Sequence, residues 1–262
     1  MAALARLFGA ACVACDESRC FGLTTPHIDT FPGRVTRHHR KRSTCTMNSI
    51  TRIPSTVPAQ SDLFGSSDAE FSIDESFRSA RRFDLDAHSW IEIVPGWISG
   101  ASQLYEQLRN SVPWLEHDRR MFNQVFREPR MTAVYKHVAD VPDARLLQAV
   151  RALSRHYGVE YDGLWMNLYR NGQDSTGWHR DHGSCRKLDC IVPVLTLGTI
   201  RRFLIKPIKG GRSMTFKPSS GDLVVMGGRA QQDWVHCVPK EPEIEGTRIS
   251  VNFMSSAQGV RD

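Results

Sequence analysis

The 262-residue chain is 40% hydrophobic and 24% charged, with a formal net charge of +6, proportions of a globular polypeptide and not of a disordered or fibrous one. No apolar run reaches the length that crosses a bilayer as a helix, so no membrane association is expected. The charge is uneven, because residues 1–46 hold seven Lys/Arg against three Asp/Glu while the remainder is close to balance; a basic excess permits an acidic partner such as nucleic acid without requiring one.

In chain order, residues 1–46 read as a disordered basic extension with four of the seven cysteines. Cys12, Cys15, Cys20 and His27 offer half of a zinc site with no second pair to complete it. Leu7 to Cys15 is short and apolar behind Arg6 but lacks a cleavage site, so it is read as part of the extension and Met47 as an alternative start. An odd cysteine count without regular spacing argues against a secreted disulfide scaffold and favours a cytoplasmic protein. Residues 47–82, with eight serines and little apolar periodicity, read as linker. The catalytic domain is accordingly expected over 83–258. Within it Trp90–Val94 alternates like a strand, residues 99–112 and 143–157 carry apolar positions at helical spacing, and short strands follow at 162–170, 190–197, 201–206, 212–217, 222–226, 233–238 and 247–254. Helices followed by a run of short strands predict an α+β domain closed by a sandwich or barrel.

The chemistry concentrates in Gly177-Trp-His179-Arg-Asp181. In an extended segment His179 and Asp181 share a side, because side chains alternate with period two. His236 arrives on another strand, in Asp233-Trp-Val-His236. Two imidazoles and one carboxylate form the facial triad that holds non-haem Fe(II) and leaves three positions open. Arg248 lies twelve positions further on, opposite in facing to Ile249, Val251 and Phe253. A guanidinium turned inward needs an anion, and its fork matches a carboxylate. Asn167 and Tyr169 share one face of Leu164–Tyr169. Each of these residues also has an ordinary structural reading, and it is their combination that points to a site.

Taken together, Asn167-x-Tyr169, Trp178-His-x-Asp181, Leu195-Thr-Leu-Gly198, Gly221-Asp-Leu-Val-Val-Met226, Gln231-x-x-Trp234-x-His236-x-Val-Pro239 and Arg248-Ile-Ser resemble the AlkB family of Fe(II)/2-oxoglutarate-dependent dioxygenases over about residues 84–256. The resemblance implies a double-stranded β-helix (jelly-roll, cupin-like) core with flanking N-terminal helices and a nucleotide-recognition lid. It also implies Fe(2+) as cofactor, bound by His179, Asp181 and His236, and 2-oxoglutarate and O2 as co-substrates. Asn167, Tyr169 and Arg248 would hold the 2-oxoglutarate, with help from Ser250. The implied activity is oxidative dealkylation of N-alkylated nucleobases in DNA or RNA, single-stranded among them, by a monomer, with succinate, CO2 and formaldehyde released. In the lid, Trp114, Met121, Phe122, Tyr135 and Trp178 would face the base and Arg119, Arg120, Arg127 and Arg130 the phosphates. Two positions depart from the family pattern. Met254 stands where a second arginine is usual, and Gly183 stands two beyond Asp181 where an acidic residue is frequent. An oxygenase acting on protein or small molecules, and an inactive nucleic-acid-binding jelly roll, are the alternatives.

Overall fold

A computed structural model describes residues 70–121, 124–181 and 185–258. The elements are β1 (Ser72–Ile73), β2 (Arg81–Asp84), β3 (Ser89–Val94), β4 (Ile98–Ser99), α1 (Ala101–Ser111), β5 (Leu115–Met121), β6 (Gln124–Tyr135), a 3-10 turn at Val138–Asp140, α2 (Ala144–Tyr157), β7 (Gly163–Tyr169), β8 (Thr176–His179), β9 (Cys190–Gly198), β10 (Phe203–Pro207), β11 (Met214–Phe216), β12 (Leu223–Gly228), the short α3 (Ala230–Asp233), β13 (Trp234–Val238) and β14 (Arg248–Met254). An eight-stranded sheet runs β2-β3-β12-β9-β14-β7-β6-β5 and a four-stranded one β11-β10-β13-β8. From Gly163 to Met254 the chain alternates between them, with β7, β9, β12 and β14 in the larger and β8, β10, β11 and β13 in the smaller. That alternation is the double-stranded β-helix.

Period-two alternation gives the large sheet two different faces. Leu164, Met166, Leu168, Leu195, Leu197, Leu223, Val225, Ile249, Val251 and Phe253 join the core beneath the helices. Val192, Val194, Val224 and Met226 point the other way and meet Phe203, Ile205 and Trp234 of the small-sheet side. Helix α2 forms because Leu146, Ala149, Val150 and Leu153 recur at helical spacing. Asp143 caps it by accepting from the Arg145 N–H, and Gly158 ends it with φ 66°. Burying each such leucine contributes about 1.5–3 kcal/mol.

The linker expected to continue to residue 82 ends earlier. β1 pairs with β4, β2 pairs with β3, and Phe77 is buried against Trp97, His156 and Tyr157. Folded structure is therefore in place by Ser72, eleven residues before the expected boundary. The expected tail zinc ligands, the alternative start at Met47, Phe122 and Gly183 all lie outside the described residues. Among the described residues one disulfide, Cys185–Cys190, closes the segment that leads into β9, which the cysteine count had not suggested.

Candidate functional site

Strands β8 and β13 pair antiparallel with His179 opposite His236. Strand β8 ends at His179, so Asp181 follows two positions on with its carboxylate turned back toward both rings. Its Oδ1 lies 3.4 Å from His179 Nε2 and its Oδ2 3.5 Å from His236 Nε2. The three ligand atoms all fall within 4.8 Å of one another, the spacing of a set that can close on one metal ion.

The surroundings fix each donor. His179 Nδ1 lies 2.8 Å from the Gly177 carbonyl. A carbonyl only accepts, so Nδ1 carries the proton and Nε2 keeps its lone pair toward Asp181. His236 is buried under the ring of Phe203. Burial, reinforced by the neighbouring His179, pushes its pKa down to about 3 and keeps it neutral. Its approach to Asp181 is therefore that of two donors to a shared point and not an ion pair. Gln231, buried on α3, accepts from the Asp181 backbone N–H at 2.8 Å and sets its amide nitrogen 3.4 Å from Asp181 Oδ2. The sequence signal for this role of Gln231 is its place five residues before His236.

Asn167 and Tyr169 on β7 face the interior beside Ser250 and Arg248 on β14, in direct register. The Arg248 side chain is buried, and its Nη2 donates to Thr196 Oγ1 at 3.2 Å. Its Nε and Nη1 have no hydrogen-bond partner, and burial draws its pKa below the ordinary arginine value. Two unmet guanidinium N–H groups in the interior are costly unless an anion fills the space before them. The site thus fits a carboxylate ligand as well as a metal. Tyr169 Oη is hydrogen-bonded to Thr176 Oγ1 at 2.8 Å, and its ring lies 5.8 Å from the Arg201 guanidinium and 5.3 Å from that of Arg248.

Residues 92–253, more than half of the chain, match the 2OG-Fe(II) oxygenase superfamily. The chain belongs to the 2OG-Fe(II) oxygenase superfamily. It is 28% identical over 183 residues to the alpha-ketoglutarate-dependent dioxygenase alkB homolog 3 of Bos taurus and 27% identical to that of Homo sapiens, covering 62% of this chain in each case. It is 26% identical over 190 residues, 57% of this chain and 60% of the relative, to the DNA oxidative demethylase ALKBH2 of Arabidopsis thaliana. The chain spans 64% of the length of the two mammalian relatives. The AlkB resemblance read from the sequence is borne out by these relatives, and with it the Fe(2+), 2-oxoglutarate and O2 that the superfamily uses.

The remaining expected site residues fall in several places. Trp114 and Tyr135 pack against the core beneath the helices, and Trp114 donates to the Arg109 carbonyl. Both are half-buried there. On β6, Met131, Ala133 and Tyr135 share the core-side face, and Arg130, Thr132 and Val134 take the other. Trp178 is one residue out of phase with His179, so it faces away from the cluster, where Lys206 Nζ lies 4.3 Å from its ring. Arg130 is largely buried, its Nε donating to Asn167 Oδ1 at 3.0 Å and its Nη2 lying 3.2 Å from Glu128, so it is bound into the site wall. Arg127 is exposed, beside Glu116 and Asp118. Arg119, Arg120 and Met121 stand on β5, which pairs with β6 through Met121↔Gln124, well past the Met131 at which β6 begins to pair with β7. The outer half of this hairpin is a two-stranded ribbon extending beyond the sheet.

Proposed function

We propose that this chain is an AlkB-type dioxygenase that oxidatively removes N-alkyl groups from nucleobases in DNA or RNA. One observation carries the reading: a His-Asp-His cluster lies in the same interior as a buried arginine with two unmet N–H groups. That pairing is the requirement of an oxygenase that must hold a divalent metal and a dicarboxylate together.

In this reading His179, Asp181 and His236 hold Fe(II). The Arg248 fork takes one carboxylate of 2-oxoglutarate, and Asn167, Ser250 and Tyr169 line the space around it. With 2-oxoglutarate and O2, bound Fe(II) supplies the oxidation of an N-alkyl carbon, which leaves as an aldehyde alongside succinate and CO2. The protein's part is orientation. Gln231 and the Gly177 carbonyl hold two ligands in place, Phe203 keeps water from one side of His236, and the low-dielectric interior strengthens every N–H directed at a carboxylate. In this reading the β5–β6 ribbon, which carries Arg119, Arg120 and Arg127, is the lid over the nucleic acid. Arg127 exchanges its exposed acidic partners for phosphate at little cost, because exposed ion pairs contribute about 0–1 kcal/mol. The name of the Arabidopsis relative, a DNA oxidative demethylase, supports the choice of substrate class.

The test is incubation of the Fe(II)-loaded chain with N-methylated single-stranded DNA and RNA and 2-oxoglutarate, following base mass and succinate together. The expected result is loss of methyl from the base in step with succinate. Succinate formation that no methylated nucleic acid stimulates, but that a protein or small molecule does, would replace the nucleobase with that substrate.

A further inference from the structure

Asn167 Oδ1 receives two hydrogen bonds, from Arg130 Nε at 3.0 Å and from Trp165 Nε1 at 2.9 Å. The two donors come from different strands. Trp165 shares the inward face of β7 with Asn167, two residues away. Arg130 lies on β6, which pairs with β7 through Thr132↔Asn167, so its side chain reaches diagonally across the ladder. On its other side Asn167 donates from Nδ2 to Ser250 Oγ at 3.1 Å, across the β7–β14 ladder. Asn167 itself is 9% exposed.

An asparagine amide has two nearly isosteric ends, and its neighbours decide which is which. Arg Nε–H and Trp Nε1–H can only donate. The atom they share must therefore be the oxygen, and the nitrogen must face β14. Turning the amide over would set NH2 against two N–H groups and leave both donors unmet in a low-dielectric wall. Asn167 consequently offers its N–H groups to the side of the site where Arg248 and Ser250 stand. Donors that all point one way favour a ligand that only accepts, which a carboxylate does.

We infer that Trp165 and Arg130 are positioning residues that lock the Asn167 amide with its nitrogen toward the co-substrate, and so make the site selective for an anionic ligand. The inference rests on the reading of Asn167 as a 2-oxoglutarate contact. It also assigns Arg130 a task other than the phosphate contact expected of it. Met254 is on the same inward face of β14 but lies opposite Gly163, four residues along β7 from Asn167, with its Cε against the Gly163 backbone. In this chain the guanidinium tied to Asn167 therefore comes from β6 and not from position 254.

The test is calorimetric titration of 2-oxoglutarate into the Fe(II)-loaded full chain without oxygen, where turnover cannot interfere, with melting temperature measured in parallel. Trp165→Phe keeps the ring and removes the N–H, and should weaken binding about three- to tenfold, the span of one net hydrogen bond. Arg130→Met removes the other donor and should act in the same direction. Each should lose its effect on the dissociation constant when introduced into Asn167→Ala, because a residue that acts through Asn167 has nothing left to orient. Trp165→Phe and Arg130→Met binding as tightly as the parent would overturn the lock. So would equal weakening with and without Asn167, the signature of general damage to the wall. If Asn167→Ala itself leaves affinity unchanged, the co-substrate role of Asn167 fails and the lock fails with it, an outcome distinct from failure of the lock alone. Should Trp165→Phe not fold, Arg130→Met and its double with Asn167→Ala decide the matter.

Discussion

His179 and His236 stand opposite one another across the β8–β13 ladder, with ring centroids 4.2 Å apart and planes tilted by 56°. Neither ring stacks on the other; both turn an edge toward Asp181. The backbone register thus fixes two of three donors before any metal arrives. Replacing His179, Asp181 or His236 with Ala should abolish both Fe(II) binding and 2-oxoglutarate consumption while leaving the melting temperature of the metal-free chain close to that of the parent. A three-ligand site has no spare donor. A variant that keeps parental Fe(II) affinity would remove its residue from the set.

Arg248 presents a trade between folding and binding. Its buried, unmet N–H groups lower the stability of the ligand-free chain and are satisfied only when an anion arrives. Arg248→Met should weaken 2-oxoglutarate binding by about 1.5–3 kcal/mol, roughly 10- to 150-fold. The same substitution should stabilise the ligand-free chain, raising Tm by about 2–4 °C for each kcal/mol recovered. Calorimetry and thermal melts on one preparation check both halves. A ligand-free Arg248→Met that melts well below the parent would show that the guanidinium is already satisfied.

The elements that carry the triad were legible because the signals were short-range. His-x-Asp on an extended segment, and Arg248 alternating with three β-formers, need only period two to be read. The facing of Tyr135 was not legible for the same reason in reverse. It sits near the right arginines in sequence, but which face it takes depends on the parity of β6, and that is set by pairing with β7. Residues 70–82 failed on a different ground. Phe77 holds φ 51°, unusual for a bulky residue, and is the buried anchor of a stretch whose Phe71, Ile73 and Ala80 also pack on the core, at no single regular spacing. The Arg130–Asn167 contact joins residues 37 apart, and no local pattern encodes it.

That anchor gives a direct test of the domain's start. A chain beginning at Phe83 lacks β1, half of β2 and the Phe77 ring that packs on Trp97, His156 and Tyr157. It should be less stable to urea than one beginning at Glu70 by about 3–5 kcal/mol or more, the cost of removing a buried phenylalanine. Equal midpoints for the two chains would return the boundary to residue 83.

A clasp centred on Arg201 lies behind Tyr169. The buried Arg201 guanidinium donates to the carbonyls of Asn171, Asp174 and Pro239 at 2.9, 2.9 and 2.6 Å, and its Nε to Glu241 Oε2 at 3.1 Å. It thereby ties the turn entering β8 to the loop leaving β13, the two strands that carry the histidines. Glu241 closes the clasp by also accepting from the Arg202 backbone N–H and side chain. Gly172 is required at the crossing, since a Cβ there would collide with the Glu241 carbonyl. Burial raises the Glu241 pKa, but the hydrogen bonds from Arg202 and Arg201 outweigh it and hold the carboxyl below its usual range. A carboxyl depressed in the folded state contributes stability above its unfolded pKa, and that contribution disappears as pH falls through the folded value. Glu241→Gln should therefore be less stable than the parent at neutral pH, and the two should converge in acid, below the ordinary glutamate range. Arg201→Met, which leaves three carbonyls without their buried donor and Glu241 with Arg202 alone, should cost about 3–5 kcal/mol at neutral pH. Urea midpoints across the acid range decide it: a Glu241→Gln deficit that stays constant with pH would mean the carboxylate charge contributes nothing to the clasp.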